Sequence, residues 1–234
     1  MRTESKSRRV RRMFSSIAGR YDIANTVLSL GRDAGWRRFV VRVAELCEDN
    51  IALDVATGTG ELAFELAKRM HRGSVVGVDF SAEMLSIARQ KAEQRGAKNV
   101  HLALCDALNL CFRDGCFDAA LVAFGLRNFA SAERALRELV RVVKRGGRVV
   151  VLEFTLPPNR LLRWLYSLYF FHVLPFLGGI ITGKRDAYAY LPASVAEFPP
   201  PEEIRGLMQR AGLENVRYHL LTLGTVAVYV GQRK

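Results

Sequence analysis

The chain has 234 residues, half of them hydrophobic, a length that suits one globular domain with a sizeable core. Lysine and arginine outnumber aspartate and glutamate by 35 to 23, a net charge of +12, so acidic partners such as nucleic acid or an anionic membrane face come into consideration. Cys47, Cys105, Cys111 and Cys116 follow no C-x-x-C spacing, which argues against a zinc site or a disulfide scaffold and for reduced thiols in a cytosolic protein. No metal is expected.

Six of the first twelve residues, MRTESKSRRVRR, are Lys or Arg, and no apolar signal-peptide core follows them, so they read as a solvated basic arm. From Ile51 on, apolar runs of strand length alternate with amphipathic segments: IALDV, ELAFELAKRM, SVVGVD, SAEMLSIARQKAEQRG, VHLALCD, FDAALVAFG, SAERALRELVRVVKRGG and RVVVLEF. Short, nearly continuous Val, Ile and Leu runs separated by helices predict strands covered on both faces, hence an α/β fold with a mostly parallel, doubly wound sheet. In SAERALRELVRVVKRGG the apolar Ala135, Leu136, Leu139, Val142 and Val143 recur at helical spacing, and Gly146 with Gly147 is expected to close that helix. Arg160 to Gly183 is the most hydrophobic window. Arg163, His172, Pro175 and the Gly178–Gly179 pair interrupt it, so it reads as a lid or membrane-surface segment, or as a buried core helix, in preference to a spanning helix. ENVRYHLL and TVAVYVGQRK, joined by a short Thr-Leu-Gly link, predict an antiparallel hairpin at the sheet edge. The expected organisation is one domain, 1–234, with an N-terminal helical cap over about 8–46 and a hydrophobic insertion over about 157–199.

Chemistry concentrates in LDVATGTGELA, after the first strand. Gly58 and Gly60 permit a tight turn and close approach of a ligand to the main chain, and the helix that follows offers unpaired N–H groups. Gly58, Gly60 and Ala63 also satisfy the G-x-G-x-x-A form of a dinucleotide fingerprint, so an NAD-dependent oxidoreductase is a rival reading. Asp54 separates the two: its charge opposes a pyrophosphate and suits a cationic ligand without phosphate. S-Adenosylmethionine is such a ligand. Asp79, closing VVGVD, can accept from both ribose hydroxyls; Asp106, closing LALCD, can accept from the adenine amine, with Ala107 leaving room for the ring. Each acid alone could serve as a helix N-cap, but three at three successive strand ends, where open α/β sheets bind ligands, favour a nucleoside site.

Beyond these general features, MFSSIAGRYDIANTVLSLG, Trp36-Arg37-Arg38, ATGTGELA, GVDFSAEML, AFGLRN, LEF and YAYLPASVAEFP cover nearly the whole chain. In them the sequence resembles the quinone-biosynthesis C-methyltransferases that methylate demethylmenaquinol and related polyprenyl benzoquinols. Ser15 and Glu61 stand where that family usually has aspartates, Ala123 where serine is frequent, and Cys111 where proline is usual. The resemblance implies a Rossmann-like class I methyltransferase with a seven-stranded sheet whose last strand is antiparallel. It also implies a donor site made by Asp54, Thr57, Gly58, Thr59, Gly60, Asp79, Phe80, Asp106, Ala107 and Ala123. Methyl transfer to carbon needs in-line alignment, and a neutral quinone carbon is electrophilic, so the expected substrate is the reduced quinol ionised at a phenolic oxygen. Arg127 and Asn128 are expected to hold the quinol oxygens and stabilise the phenolate, with a water or carboxylate beside Arg127 as base. The bland alternative pairs Arg127 with Asp79 or Asp106 as a brace for the loop. Tyr21, with Asp22, is expected to close over the site, or else to serve as a packing anchor.

A nucleic-acid methyltransferase would suit the basic charge, but no N-P-P-Y-type motif or RNA-binding module is present and no nucleic acid partner is expected. A non-catalytic adenosyl-binding scaffold would keep the glycines without needing AFGLRN. The expected partners are a polyprenyl quinol and, through the basic arm and Trp164, Tyr166, Phe170 and Phe171, the anionic inner face of a membrane, touched peripherally by a cytoplasmic protein. A homo-oligomer is compatible with the sequence.

Overall fold

The computed structural model describes residues 6–174, 176, 179 and 185–234. The βα rhythm becomes a seven-stranded sheet of order β3-β2-β1-β4-β5-β7-β6. Its strands are β1 (Ile51–Val55), β2 (Ser74–Asp79), β3 (Val100–Leu104), β4 (Phe117–Ala123), β5 (Val143–Phe154), β6 (Leu213–Leu221) and β7 (Val226–Arg233). β1 to β5 pair in parallel; Leu53 lies beside Val76 on one side and Ala120 on the other. The continuous apolar runs follow from helices on both faces. Trp36 of α3 (Asp33–Val43) with Leu62 and Leu66 of α4 (Glu61–Arg69) covers one face. The other is covered by Leu136 and Leu139 of α6 (Ala132–Val142), together with Ile204 and Met208 of the helix Pro201–Arg210.

Two expectations change. The helix predicted to run to Gly146–Gly147 ends at Val142, and Val143 already pairs with Phe117 of β4. Adjacent β-branched valines favour the pleated strand. A register shift between Phe117 and Ala119 absorbs the extra residues, with Gly146 at φ +78°. The terminal hairpin forms, but only β6 is the edge; β7 inserts antiparallel between β5 and β6.

The N-terminal segments α1 (Lys6–Ile17) and α2 (Tyr21–Leu28) meet the insertion, which comprises α7 (Arg160–Leu168), a π-helical turn at Tyr169–Val173 and α8 (Arg185–Ala196). They share a small third core of Ile17, Ala24, Phe170, Leu174 and Val195, packed on Phe154 at the end of β5. Cap and insertion therefore close over the carboxyl ends of the strands. Pro175 and Gly178 of the hydrophobic window lie outside the described residues. Among the described residues no helix is long and apolar enough to cross a membrane.

Candidate active site

The turn after β1 is built by its own side chains. Asp54, buried in β1, accepts from Thr57 Oγ1 at 2.6 Å, while Gly58 N–H donates to Asp79 Oδ2 at 2.9 Å and so ties the turn to β2. Gly58 and Gly60 both have positive φ, and a Cβ placed on Gly58 would meet nothing within 4 Å, which leaves its open side as a cradle for a ligand. Burial pushes the Asp54 carboxyl up to about 7, against the Thr57 hydrogen bond. Burial also raises Asp79, opposed by the N–H groups of Ser81, Gly58 and Phe80. The N-cap of α5 (Ala82–Gln94) is Ser81, whose Oγ accepts from Met84 N–H, so Asp79 is not spent on capping. Asp106 lies exposed just past β3, holding the Leu108 N–H at 2.9 Å.

Three adjoining cavities open at these strand ends. The first, about 430 Å³, is lined by Asp79, Phe80, Asp106 and Ala107, the set expected for the nucleoside. The second, about 380 Å³, is lined by Asp54, Thr57, Thr59, Arg37 and Lys91, charged and polar groups that could hold the amino-acid end of such a ligand. Ala56, Gly58 and Ala123 line both. Gly60 is absent from both walls: its φ of +88° turns the chain into α4, and a Cβ there would strike the Phe64 ring at 2.8 Å. The cap reaches into the second cavity. Asp22 accepts from Thr59 Oγ1 and from Lys91 Nζ, each at 2.6 Å, and Lys91 also pairs with Glu61 at 2.8 Å. Burial acts to raise Glu61, but Lys91 and Arg95 hold it below the usual carboxylate range.

The third cavity, about 300 Å³, is mainly apolar, with Phe14, Trp36, Phe154, Tyr166 and Phe170 in its walls. Tyr21 and Phe124 line all three cavities, so their junction is where a methyl group held on one side can face a ring held on the other. Phe124 holds a φ of +56°, a conformation uncommon for an aromatic residue and of the kind that clusters at functional sites.

AFGLRN divides at this junction. Arg127 lines the apolar cavity, whereas Asn128 lines the nucleoside cavity. The expectation that both hold the substrate's oxygens is thus split between two walls. Asn128 donates to the Phe124 carbonyl at 3.1 Å and accepts from Tyr190 OH at 3.1 Å. Among the described residues Arg127 pairs with neither Asp79 nor Asp106; it is ion-paired with Glu153 of β5, fully buried, and also donates to the Phe124 carbonyl at 2.8 Å and to Ser194 Oγ at 3.3 Å. Glu153, Phe124 and Tyr190 escaped the sequence reading. For Glu153 the signal was present: a carboxylate inside RVVVLEF, a run otherwise fit for the core, requires a buried partner.

A strand-end cradle with paired nucleoside and amino-acid cavities, on a sheet with one antiparallel strand, defines the class: S-adenosylmethionine-dependent methyltransferases of the Rossmann-like kind. Solved structures share this fold. They include an S-adenosylmethionine-dependent methyltransferase from Thermotoga maritima described as a possible histamine N-methyltransferase (TM-score 0.66, 21% identity, 96% of this chain and 100% of that one). Another is a methyltransferase from Aquifex aeolicus (TM-score 0.60, 20% identity, 85% and 89%). Within that class the chain belongs to the ubiE/COQ5 methyltransferase family, whose model matches residues 2–233. It is 52% identical to a demethylmenaquinone methyltransferase of Thermus thermophilus, over 94% of this chain and all of that one. It is 45% identical to the Deinococcus radiodurans protein of the same name (99% and 95%). The ubiquinone/menaquinone biosynthesis C-methyltransferase of Geotalea daltonii is 43% identical (97% and 97%).

Proposed function

We propose that the protein transfers the methyl group of S-adenosylmethionine to a ring carbon of a reduced polyprenyl quinol, converting demethylmenaquinol to menaquinol. The observation that carries this reading is the apolar cavity with Arg127 in its wall, meeting the two donor cavities at Tyr21 and Phe124. The relatives named for demethylmenaquinone support the naphthoquinol ring.

The acids and the glycine cradle fit the donor, which when bound supplies an electrophilic methyl group. Asp79 and Asp106 are placed to hold the ribose and adenine, and Asp54 stands beneath the cationic end. Arg127 donates to the ring oxygen and favours its ionised form. The phenolic proton leaves to a water, the neighbouring carbon takes the methyl as the carbon–sulfur bond breaks, and loss of the ring proton restores aromaticity. Tyr21 and Phe124 keep water from the junction and align the two reactants, which is where most of the acceleration arises.

The place of work is the cytoplasmic face of a membrane. Leu161, Trp164, Leu165 and Leu168 lie on one stripe of α7 and are all exposed, while Arg8, Arg9, Arg11 and Arg12 of α1 are exposed as well. Two of the four aromatics assigned to the membrane from sequence turn inward: Phe170 is buried, and Tyr166 stacks on it at 4.8 Å.

Incubating the protein with labelled S-adenosylmethionine and either reduced prenyl naphthoquinol, the oxidised quinone or bulk RNA tests the reading. Label is expected in the quinol alone. Transfer to RNA, or equal transfer to the oxidised quinone, overturns it.

A further inference from the structure

Glu153 is 0% exposed at the end of β5 and lines none of the three cavities. Its carboxylate nevertheless governs one residue that does. Oε1 accepts from Arg127 Nη1 and from Phe154 N–H at 3.0 Å, and Oε2 accepts from the Arg127 backbone N–H at 3.2 Å. Arg127 is thus gripped at its main chain and at its guanidinium by one side chain on a rigid central strand. The grip also has an electrical effect. A carboxylate against a guanidinium in a poorly polarisable interior cancels most of the cation's longer-range field and leaves a dipole whose positive end borders the apolar cavity.

We infer that Glu153 is a positioning residue for methyl transfer, aiming Arg127 at the substrate's ring oxygen and setting, by partial charge compensation, how far the bound hydroxyl ionises. The inference rests on the quinol reading given above. Among the described residues, other titratable groups near Arg127 are Tyr21 of α2, Tyr166 of α7 and Tyr190 of α8, the first with Asp22 and Asp79 nearby and the last with Arg9 and Glu197. Burial holds all three phenols above their ordinary range, so they stay neutral from pH 6 to 9; burial also acts to raise Glu153, opposed by the Arg127 charge and by the N–H groups of Arg127 and Phe154.

The test uses Glu153→Gln and Glu153→Asp, with Glu153→Gln repeated in an Arg127→Gln background. Glu153→Gln is expected to lower kcat on reduced naphthoquinol at least about tenfold with KM for S-adenosylmethionine held within about twofold, and Glu153→Asp to recover part of the loss. In the Arg127→Gln background the same change is expected to cost less than about twofold, because Glu153 acts through Arg127. A readout without turnover is the absorbance of a coloured hydroxynaphthoquinone bound in the apolar cavity. Removing the negative charge weakens the compensation of the guanidinium field, so Glu153→Gln is expected to lower the bound dye's pKa by about half a unit or more, and Glu153→Asp to leave it in place. Unchanged kcat, additive losses in the double variant or an unmoved dye pKa overturns the role. If Glu153→Gln does not fold, wild-type kcat in Glu153→Asp overturns it instead. A wild-type enzyme inactive on every quinol overturns the substrate reading, and the dye pKa then still decides the action of Glu153 on Arg127.

Discussion

The donor half of the site comes from short stretches at neighbouring strand ends, its cradle from the single run Leu53–Ala63, with side chains that bond within the turn or across one strand. The apolar half draws its walls from α1, α2, α3, β5, α7 and α8, and is closed by a third core with five buried members among the described residues. The first has its cradle held by the sheet itself, and the cap adds part of its lining, with Asp22 bonded to Thr59 and Lys91. The second exists only while cap and insertion are docked, and such thinly packed elements open at lower free energy than the core beneath them. Donor binding and acceptor binding therefore lean on the cap and insertion to different degrees, and variants can weaken one more than the other.

The largest separation is expected from Arg127→Ala. It should lower kcat by about 10²- to 10³-fold while the dissociation constant for S-adenosylmethionine stays within about twofold, measured by single turnover and calorimetry. Because the change strands Glu153 in the interior, it should also cost on the order of 3 to 5 kcal/mol of stability, seen in the denaturation midpoint. Arg127→Lys restores a charge without the planar fork and should recover only part of the rate.

Asp79→Ala is the converse. Losing a charged acceptor, along with its hold on the Gly58 and Ser81 N–H groups, should weaken donor binding by roughly 2 to 3 kcal/mol and leave binding of a hydroxynaphthoquinone intact. Unchanged calorimetric affinity in the folded variant would remove Asp79 from the donor site.

A smaller effect comes from Asp54, held up to about 7 by burial. Between about pH 4 and 7 the folded chain keeps a proton that the unfolded chain has lost, so this group's contribution to stability falls as pH rises. A cationic ligand prefers the ionised carboxylate and expels that proton. Donor affinity should consequently rise about tenfold from pH 6 to 8, and Asp54→Asn should flatten the profile.

The least change in chemistry is expected from Trp164→Glu. It should reduce flotation with anionic liposomes at low salt while turnover of a short-chain quinol stays within about twofold. Equal flotation of variant and wild type would detach α7 from the membrane.

The comparison also marks what the sequence disclosed. IALDV, SVVGVD and FDAALVA declared their strands because burial on both faces leaves continuous apolar runs, and Asp54, Asp79 and Asp106 pointed to a nucleoside site because three acids at three strand ends exceed what helix capping needs. The end of α6 was hidden, since Val142 and Val143 fit a helical stripe and a strand equally well until β4 is there to pair. The partners of Glu153 and Tyr190 were hidden for a related reason. What each does depends on a partner far along the chain, and neither spacing nor composition reports which distant residue will arrive beside it.

The insertion of β7 between β5 and β6 carries a consequence for synthesis. β5, which holds Glu153, has one edge against β4 and the other against a strand made after every other strand of the sheet. Until Val226–Arg233 leaves the ribosome, an apolar strand edge stays unpaired, and β6, made earlier, must not take the place reserved for its successor. Arg127 accordingly receives its fully framed partner only once β7 has emerged, so protease resistance of stalled chains should appear abruptly with Val226–Arg233 rather than growing strand by strand.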